Sequence, residues 1–335
     1  MSFTMPLHEI AGPWDKTEPV HENMTLLTLR TALEALQKAN ASYAGGMILT
    51  GIELRTLPNW DAEDYVDPTD APTKAQEFLR GVTWPDDPKG WLFDSARGTT
   101  NYSSGLRWYK EFSNGSVSDD TALIKRSHYG DLQFIHAMAV QGGEAAAATK
   151  KKILEWSNFA IELALGKIDP ETEIQQLPTR FESIQLFFRG HYSWKIKSLL
   201  AGNESRGKQL TKLDVRQRAT GILLHLIQDS FSHSHVERKQ DGSIQQFHDY
   251  GSQDQHKHSE KDHMGEGKTL RERMEHTLGA LSAIDTGAKL VQLIDTSASI
   301  ATLTAFLNET VFKLASSVAP AGPGANFLKT VKKTG

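Results

Sequence analysis

The sequence predicts a mainly α-helical protein, a multi-helix bundle with long loops, and three observations carry that prediction. First, apolar residues recur at spacings of three and four over Met24 to Ala39, Ala145 to Gly166, Thr179 to Ala201, Leu213 to Phe231, Thr269 to Ile284 and Thr296 to Ser317, the signature of amphipathic helices. Second, alternating strand-like runs are scarce, and the stretch Ile48 to Leu54 reads as either a short strand or a buried turn. Third, Thr56 to Thr73 and Gly81 to Ser118 are rich in Gly, Pro, Asp, Asn and Ser, and loops of that length in a compact protein tend to carry function.

Taken in order, the first helix opens on Pro19-Val20-His21-Glu22-Asn23-Met24-Thr25, where Glu22 or Asn23 reads as a capping residue. The second loop holds Trp84-Pro85-Asp86-Asp87 and the aromatic residues Trp91, Phe93, Tyr102, Trp108 and Tyr109. Arg126 to Asp131 then precedes an apolar segment ending in His136. Lys150-Lys151-Lys152 reads as a solvated helix start, and Trp156, Phe187, Phe188, Tyr192 and Trp194 as helical core or its edge. The polar stretch Glu237 to Gly267 contains His248, His256, His258 and His263. Residues 1–318 read as one helical domain, and 319–335 as a flexible Pro/Gly and basic tail.

With 335 residues and 39% hydrophobic content the chain can bury a sizeable core. Its 37 basic against 41 acidic residues, net charge -4, weigh against a basic nucleic-acid binder. There are no cysteines, so any zinc site must use His, Asp, Glu or backbone ligands. The N-terminus has no basic segment followed by an apolar stretch, and no run approaches the roughly 18 apolar residues of a membrane span.

The most informative stretch is Leu223 to His235, which embeds H-x-x-x-D-x-x-x-x-x-H in an otherwise apolar run. On a helix His225 and Asp229 lie one turn apart on one face, among leucines and isoleucine that keep the helix buried. Buried imidazole and carboxylate need partners, and a cation satisfies both. His235 follows His225 by ten residues and would point away on a continuous helix, so the helix must end or bend between them. Ser230, Ser232 and Ser234 make that break plausible by competing for backbone hydrogen bonds. A second spacing of the same kind is His258/Asp262, overlapped by His256/Glu260, which leaves the register open. Asp86, His128 or His136, and His21 acquire interest as members of the same constellation.

Together these residues resemble the zinc-dependent phospholipase C superfamily, which includes fungal zinc nucleases acting on single strands. The order His21, Asp86, His128, His225/Asp229/His235, His258/Asp262 is similar to the family's, residue for residue in the central spacing, and spans roughly residues 14 to 265 as scattered motifs. His21-Glu-Asn-Met-Thr and Arg80-Gly-Val-Thr-Trp-Pro-Asp-Asp-Pro look closest to the zinc metallophospholipases C of Gram-negative bacteria. The resemblance implies two or three zinc ions per chain. Asp86, His128, His225 and Asp229 would hold one, His235, His258 and Asp262 a second, and Asp229 with His21 a third. In the family the third zinc also binds a mature N-terminal Trp, whereas Trp14 is internal here, so either the preceding residues are removed or that ion is held differently. His136 remains the alternative to His128, because the gap from Asp86 to His128 is longer than the family's usual one.

The implied activity is hydrolysis of the glycerol-phosphate ester of phospholipids, phosphatidylcholine foremost, to diacylglycerol and a phosphorylated head group by metal-activated water. Asp86 would orient or deprotonate that water. The expected partner is a phospholipid membrane surface, with no stable nucleic-acid partner, and the aromatic loop can rest on lipid or enclose a quaternary ammonium. The expected location is outside the cell without a recognisable signal peptide, with the cytoplasm as the alternative. Two other functions stand beside this one: a zinc-dependent single-strand nuclease, with aromatic residues stacking bases, and a non-catalytic zinc-stabilised binding protein with a closed site.

Overall fold

The computed structural model describes residues 19–67, 70–91, 108, 110–112, 116–202, 207, 212–259, 261 and 263–329. It is mainly helical. The helices are α1 (Val20–Ala39), α2 (Gln76–Thr83), α3 (Leu123–Tyr129), α4 (Ala146–Ala164), α5 (Glu182–Phe187), α6 (Ile196–Ala201), α7 (Lys212–Phe231), α8 (Gln255–Ser259), α9 (Leu270–His276), α10 (Ala280–Asp295) and α11 (Ile300–Phe306). The strands β1 (Val236–Arg238) and β2 (Ile244–Phe247) form one antiparallel hairpin.

α7 is the central helix, packing on α2, α4, α10 and α1, while α1 lies along α10. Ala219, Ile222, Leu223, Leu224, Leu226 and Ile227 are all buried, and so are the polar Gln217, Thr220, His225, Gln228 and Asp229, so this helix is enclosed by its neighbours and its polar residues need partners among them. Its approach to α2 depends on paired glycines. A Cβ at Gly81 would lie 2.1 Å from the Arg218 carbonyl oxygen, and one at Gly221 would lie 2.2 Å from that of Phe78. The two backbones therefore cross at a distance no larger residue permits.

Three expected helices are interrupted. Thr179 to Ala201 divides into 3-10 turns at Thr179–Phe181 and Arg189–His191 with α5 and α6 between and after them. Gly190 there presses on the Asp120 backbone, 2.3 Å from its oxygen to a would-be Cβ, a contact that a continuous helix would forfeit. Thr269 to Ile284 breaks between α9 and α10 at Gly279, whose φ of 85° is left-handed. Thr296 to Ser317 becomes α11 followed by a π-type turn, Leu307–Val311. Ile48 to Leu54 is a turn and not a strand, held by Asp295 Oδ1, which accepts the N–H groups of Ile48 and Leu49 at 2.8 and 2.7 Å. The hairpin falls largely in the stretch that the sequence marks only as polar; Asp241-Gly242, with Gly242 at φ 79°, is its turn signal.

At the start of α1, neither Glu22 nor Asn23 is the N-cap, which is Pro19 without a side-chain cap. Asn23 instead donates to the carbonyls of Pro19 and Val66 and accepts the Val66 N–H, tying the following loop to the helix. Residues 319–329 run along β2 and α8: the N–H groups of Asp249 and Asp254 donate to the carbonyls of Gly322 and Phe327 at 3.0 and 2.8 Å. Among the described residues, no helix is long and apolar enough to cross a membrane.

Candidate metal centre

Five elements converge on one buried cluster. α1 contributes His21, the turn after α2 Asp86, α3 His128, the 3-10 turn Gln133–His136 its last residue, and α7 His225 and Asp229. Their ligand atoms form three overlapping groups, His21/Asp86/His225, Asp86/His128/His136 and His136/His225/Asp229, each within 4.8 Å. All six residues are at most 5% exposed.

Asp229 is the hub. Its Oδ2 lies 2.8 Å from His225 Nε2, 2.9 Å from His136 Nδ1 and 3.5 Å from His235 Nδ1, and its Oδ1 lies 3.3 Å from His21 Nε2. Asp86 Oδ1 lies 3.6 Å from His128 Nε2 and 3.9 Å from His136 Nδ1. α7 ends at Phe231, and the Ser232 and His235 N–H groups close a turn after it. That turn carries His235 back to Asp229, as the spacing requires. His258 stands beside His235 with ring centroids 5.0 Å apart.

The histidines share an anchoring pattern. Nδ1–H donates to Ile124 O in His128, to Val82 O in His225 and to His136 O in His235, each at 2.7 Å. His21 and His258 donate likewise to Gln228 Oε1 at 2.7 Å and Gln253 Oε1 at 2.6 Å. A carbonyl can only accept, so each Nδ1 carries the proton and each Nε2 presents a lone pair. This is the orientation that an outer hydrogen bond gives a metal-ligating imidazole. The Nε2 atom of His128 is buried without a hydrogen-bond partner, a cost that a bound ion would remove; His136 differs, turning its Nδ1 toward Asp86 and Asp229.

Charge follows the same logic. Burial would raise the carboxyls of Asp86 and Asp229, but His225 and the other imidazoles hold both well below the usual carboxylate range. Burial, helped by His225, lowers His21, and burial with His128 lowers His136 to about 3. Ionised carboxylates at Asp86 and Asp229 with His21 and His136 held neutral is a protonation state in which such groups bind a cation. Glu22, fully buried with both carboxylate oxygens unbonded, is pushed up to about 8 by burial and by Asp86. An N/O donor set of His and Asp without thiolate suits zinc and the neighbouring first-row divalent ions.

Seven of the eight residues implied by the resemblance are described. His21, Asp86, His128, His225 and Asp229 enter the groups above, and His235 and His258 stand together next to Asp229 and Tyr250. Asp262, with Glu260, lies outside the described residues, as do Trp14 and the aromatic residues Phe93, Tyr102 and Tyr109. Of the two registers, His258 is buried and stands beside His235, whereas His256 is exposed. His128 and His136 are not alternatives, because both face Asp86. His136 ends a 3-10 turn and precedes Ala137 at φ 54°, a left-handed position that only the fold can impose on alanine.

Sequence reasoning missed Gln228, Gln253 and Glu22. Gln228 was detectable as a polar residue beside Asp229 in an apolar helix, since its Nε2 meets Thr25 Oγ1 at 3.0 Å while its Oε1 holds His21. A partly open pocket lined by residues including Val20, His21, Met24, Gln228, Asp229 and Lys261 adjoins the cluster. Beside the cluster, Trp108, Phe112, Ile124, Met138 and Tyr250 form a separate apolar group with Trp91 and Tyr129 against it. Phe112 meets the His128 ring edge-on at 4.9 Å and Tyr250 meets that of His258 at 4.8 Å.

Fold and site together define a mainly helical protein whose buried His/Asp cluster can hold metal ions. No family model, curated protein or solved structure matches the chain.

Proposed function

We propose that the chain is a zinc-dependent phosphodiester hydrolase, a phospholipase C that cleaves phosphatidylcholine-like lipids to diacylglycerol and a phosphorylated head group. The observation that carries this reading is the convergence of Asp86, Asp229 and the histidines with each anchored imidazole turning Nε2 inward. Asp86, His128, His136, His225 and Asp229 would hold one ion, His21 with Asp229 another, and His235 with His258 a third. Bound zinc would neutralise the phosphate and lower the pKa of water to about 7.

The chain's own groups divide the remaining work. Asp86, kept ionised by facing imidazoles, accepts a hydrogen bond from the attacking water and fixes its approach. Asp229, touching His21, His136, His225 and His235, holds the two ends of the cluster in register. The aromatic group against His128 and His258 supports a quaternary-ammonium head group, which aromatic faces attract. The net charge of -4 supports a lipid over a polyanionic strand.

The test is phosphocholine release from phosphatidylcholine vesicles by zinc-loaded protein, beside Asp229→Ala with zinc content measured in both. Release by the wild type that disappears with the metal in the variant is expected. A zinc-loaded wild type that leaves the vesicles intact refutes the lipase; if it then cuts single-stranded DNA, the nuclease reading replaces it. If it cleaves neither, the site is a closed structural one.

A further inference from the structure

We infer that the C-terminal strap, residues 319–329, fixes the orientation of His258 through Gln253, making Gln253 a positioning residue of the metal centre. The inference rests on the metal-binding reading above. Gln253 is fully buried. Its Nε2 donates to the carbonyls of Ser234 and Pro323, at 2.7 and 2.8 Å, while its Oε1 accepts the Nδ1–H of His258 at 2.6 Å. One amide thus joins the residue preceding His235, the strap and His258.

The direction of that amide is forced. Turned over, it would set its oxygen against two carbonyl oxygens and its NH2 against the imidazole N–H, so both acceptors select the observed orientation. The acceptor offered to His258 in turn fixes the imidazole tautomer and the direction of Nε2. Pro323 supplies one of the two selecting carbonyls, and it belongs to a segment far from His258 in sequence.

The seat of the strap explains how Pro323 gets there. Gly324, at φ 76°, lies so near His248 that a Cβ would be 2.4 Å from the ring's Cε1. His248 Nδ1 shares the Ser234 carbonyl at 3.0 Å, and its ring packs on Phe327 at 5.7 Å. The Gly143 N–H donates to the Ala321 carbonyl at 2.8 Å and completes the seat. Any side chain at Gly324 must lift the strap, which moves the Pro323 carbonyl, or displace His248, which disturbs the Ser234 carbonyl it shares with Gln253.

The experiment measures zinc per chain and its affinity in competition with a chelator for the wild type, Gln253→Leu, Gln253→Glu, Gly324→Ala and Gln246→Ala. Gln246 Nε2 donates to Pro320 O at 2.7 Å, so its variant removes an exposed contact of the strap while leaving the Pro323–Gln253 bond and every candidate ligand in place. Gln253→Leu and Gly324→Ala are expected to bind one zinc equivalent about 10–100-fold more weakly, the usual effect of losing an outer-shell partner. Gln253→Glu keeps an acceptor for His258 and holds that equivalent more tightly than Gln253→Leu, and Gln246→Ala matches the wild type. If Gln253→Leu does not fold, Gly324→Ala carries the test, with folding followed by circular dichroism. Wild-type affinity in both Gln253→Leu and Gly324→Ala overturns the positioning role. A wild-type chain that takes up no zinc overturns the metal centre itself.

Discussion

At the scale of single residues, His136 and Glu22 carry the sharpest expectations. His136 faces both Asp86 and Asp229, so His136→Ala and His128→Ala should each lower metal content per chain, while the exposed His256→Ala should not. Elemental analysis of the three variants decides this, and undiminished metal in His136→Ala removes it from the centre. Glu22 titrates at about 8 in the fold against an ordinary 4.5. Between those values the folded state keeps a proton that the unfolded chain has released, so its contribution to stability falls as pH rises from 4.5 to 8. In metal-free protein, Glu22→Gln should therefore gain melting temperature relative to the wild type between about pH 5 and pH 8. An offset equal at both pH values would mean that Glu22 is not held protonated.

At the scale of elements, the crossing of α2 and α7 decides whether the centre can form. α2 ends at Thr83, so the Val82 carbonyl has no helical partner and is available to His225 Nδ1 at 2.7 Å. That distance depends on Gly81 and Gly221 lying against the opposite backbones. Gly221→Ala should cost about 1–3 kcal/mol of stability by overpacking and weaken metal binding as well, read by denaturant unfolding and chelator competition. Loss of stability with unaltered affinity would show that the crossing does not govern His225. Elements also mark where periodicity misleads: apolar spacing marked α1, α4 and α7 within a few residues, yet ran through the breaks at Gly190 and Gly279. Those breaks are set by contacts with Asp120 and Phe231, which local spacing does not contain.

At the scale of the whole molecule, several buried imidazoles make the metal-free protein acid-sensitive. Burial lowers His136 to about 3, and lowers His191 and His248 to about 4, from 6.5. The unfolded chain takes up protons first as pH falls, so the stabilisation is complete above 6.5 and is lost toward the folded values. The melting temperature of metal-free protein should drop between about pH 6.5 and pH 4. His191→Asn, at a residue outside the His/Asp groups, should flatten that decline, and an unchanged slope would exclude His191 as a contributor. Bound zinc should raise the melting temperature at neutral pH, since an ion bound only by the folded state stabilises it by mass action.

The central motif was legible because it is local: His225 and Asp229 are one helical turn apart, and three serines mark the end of α7 before His235. The mainly helical class was legible for the same reason, since a period of three to four residues is written in contiguous sequence. That both His128 and His136 face Asp86, that His258 is buried and His256 exposed, and the roles of Gln228, Gln253 and Glu22 were decided by tertiary structure. Each depends on a partner 42 or more positions away or on burial beneath another element, as with His128 and Asp86 and with Gln228 reaching back 207 positions to His21. Side-chain chemistry and spacing name the residues able to bind a metal, but only the packing of α1, α2 and the Gln133–His136 turn on α7 determines which of their nitrogens face one another.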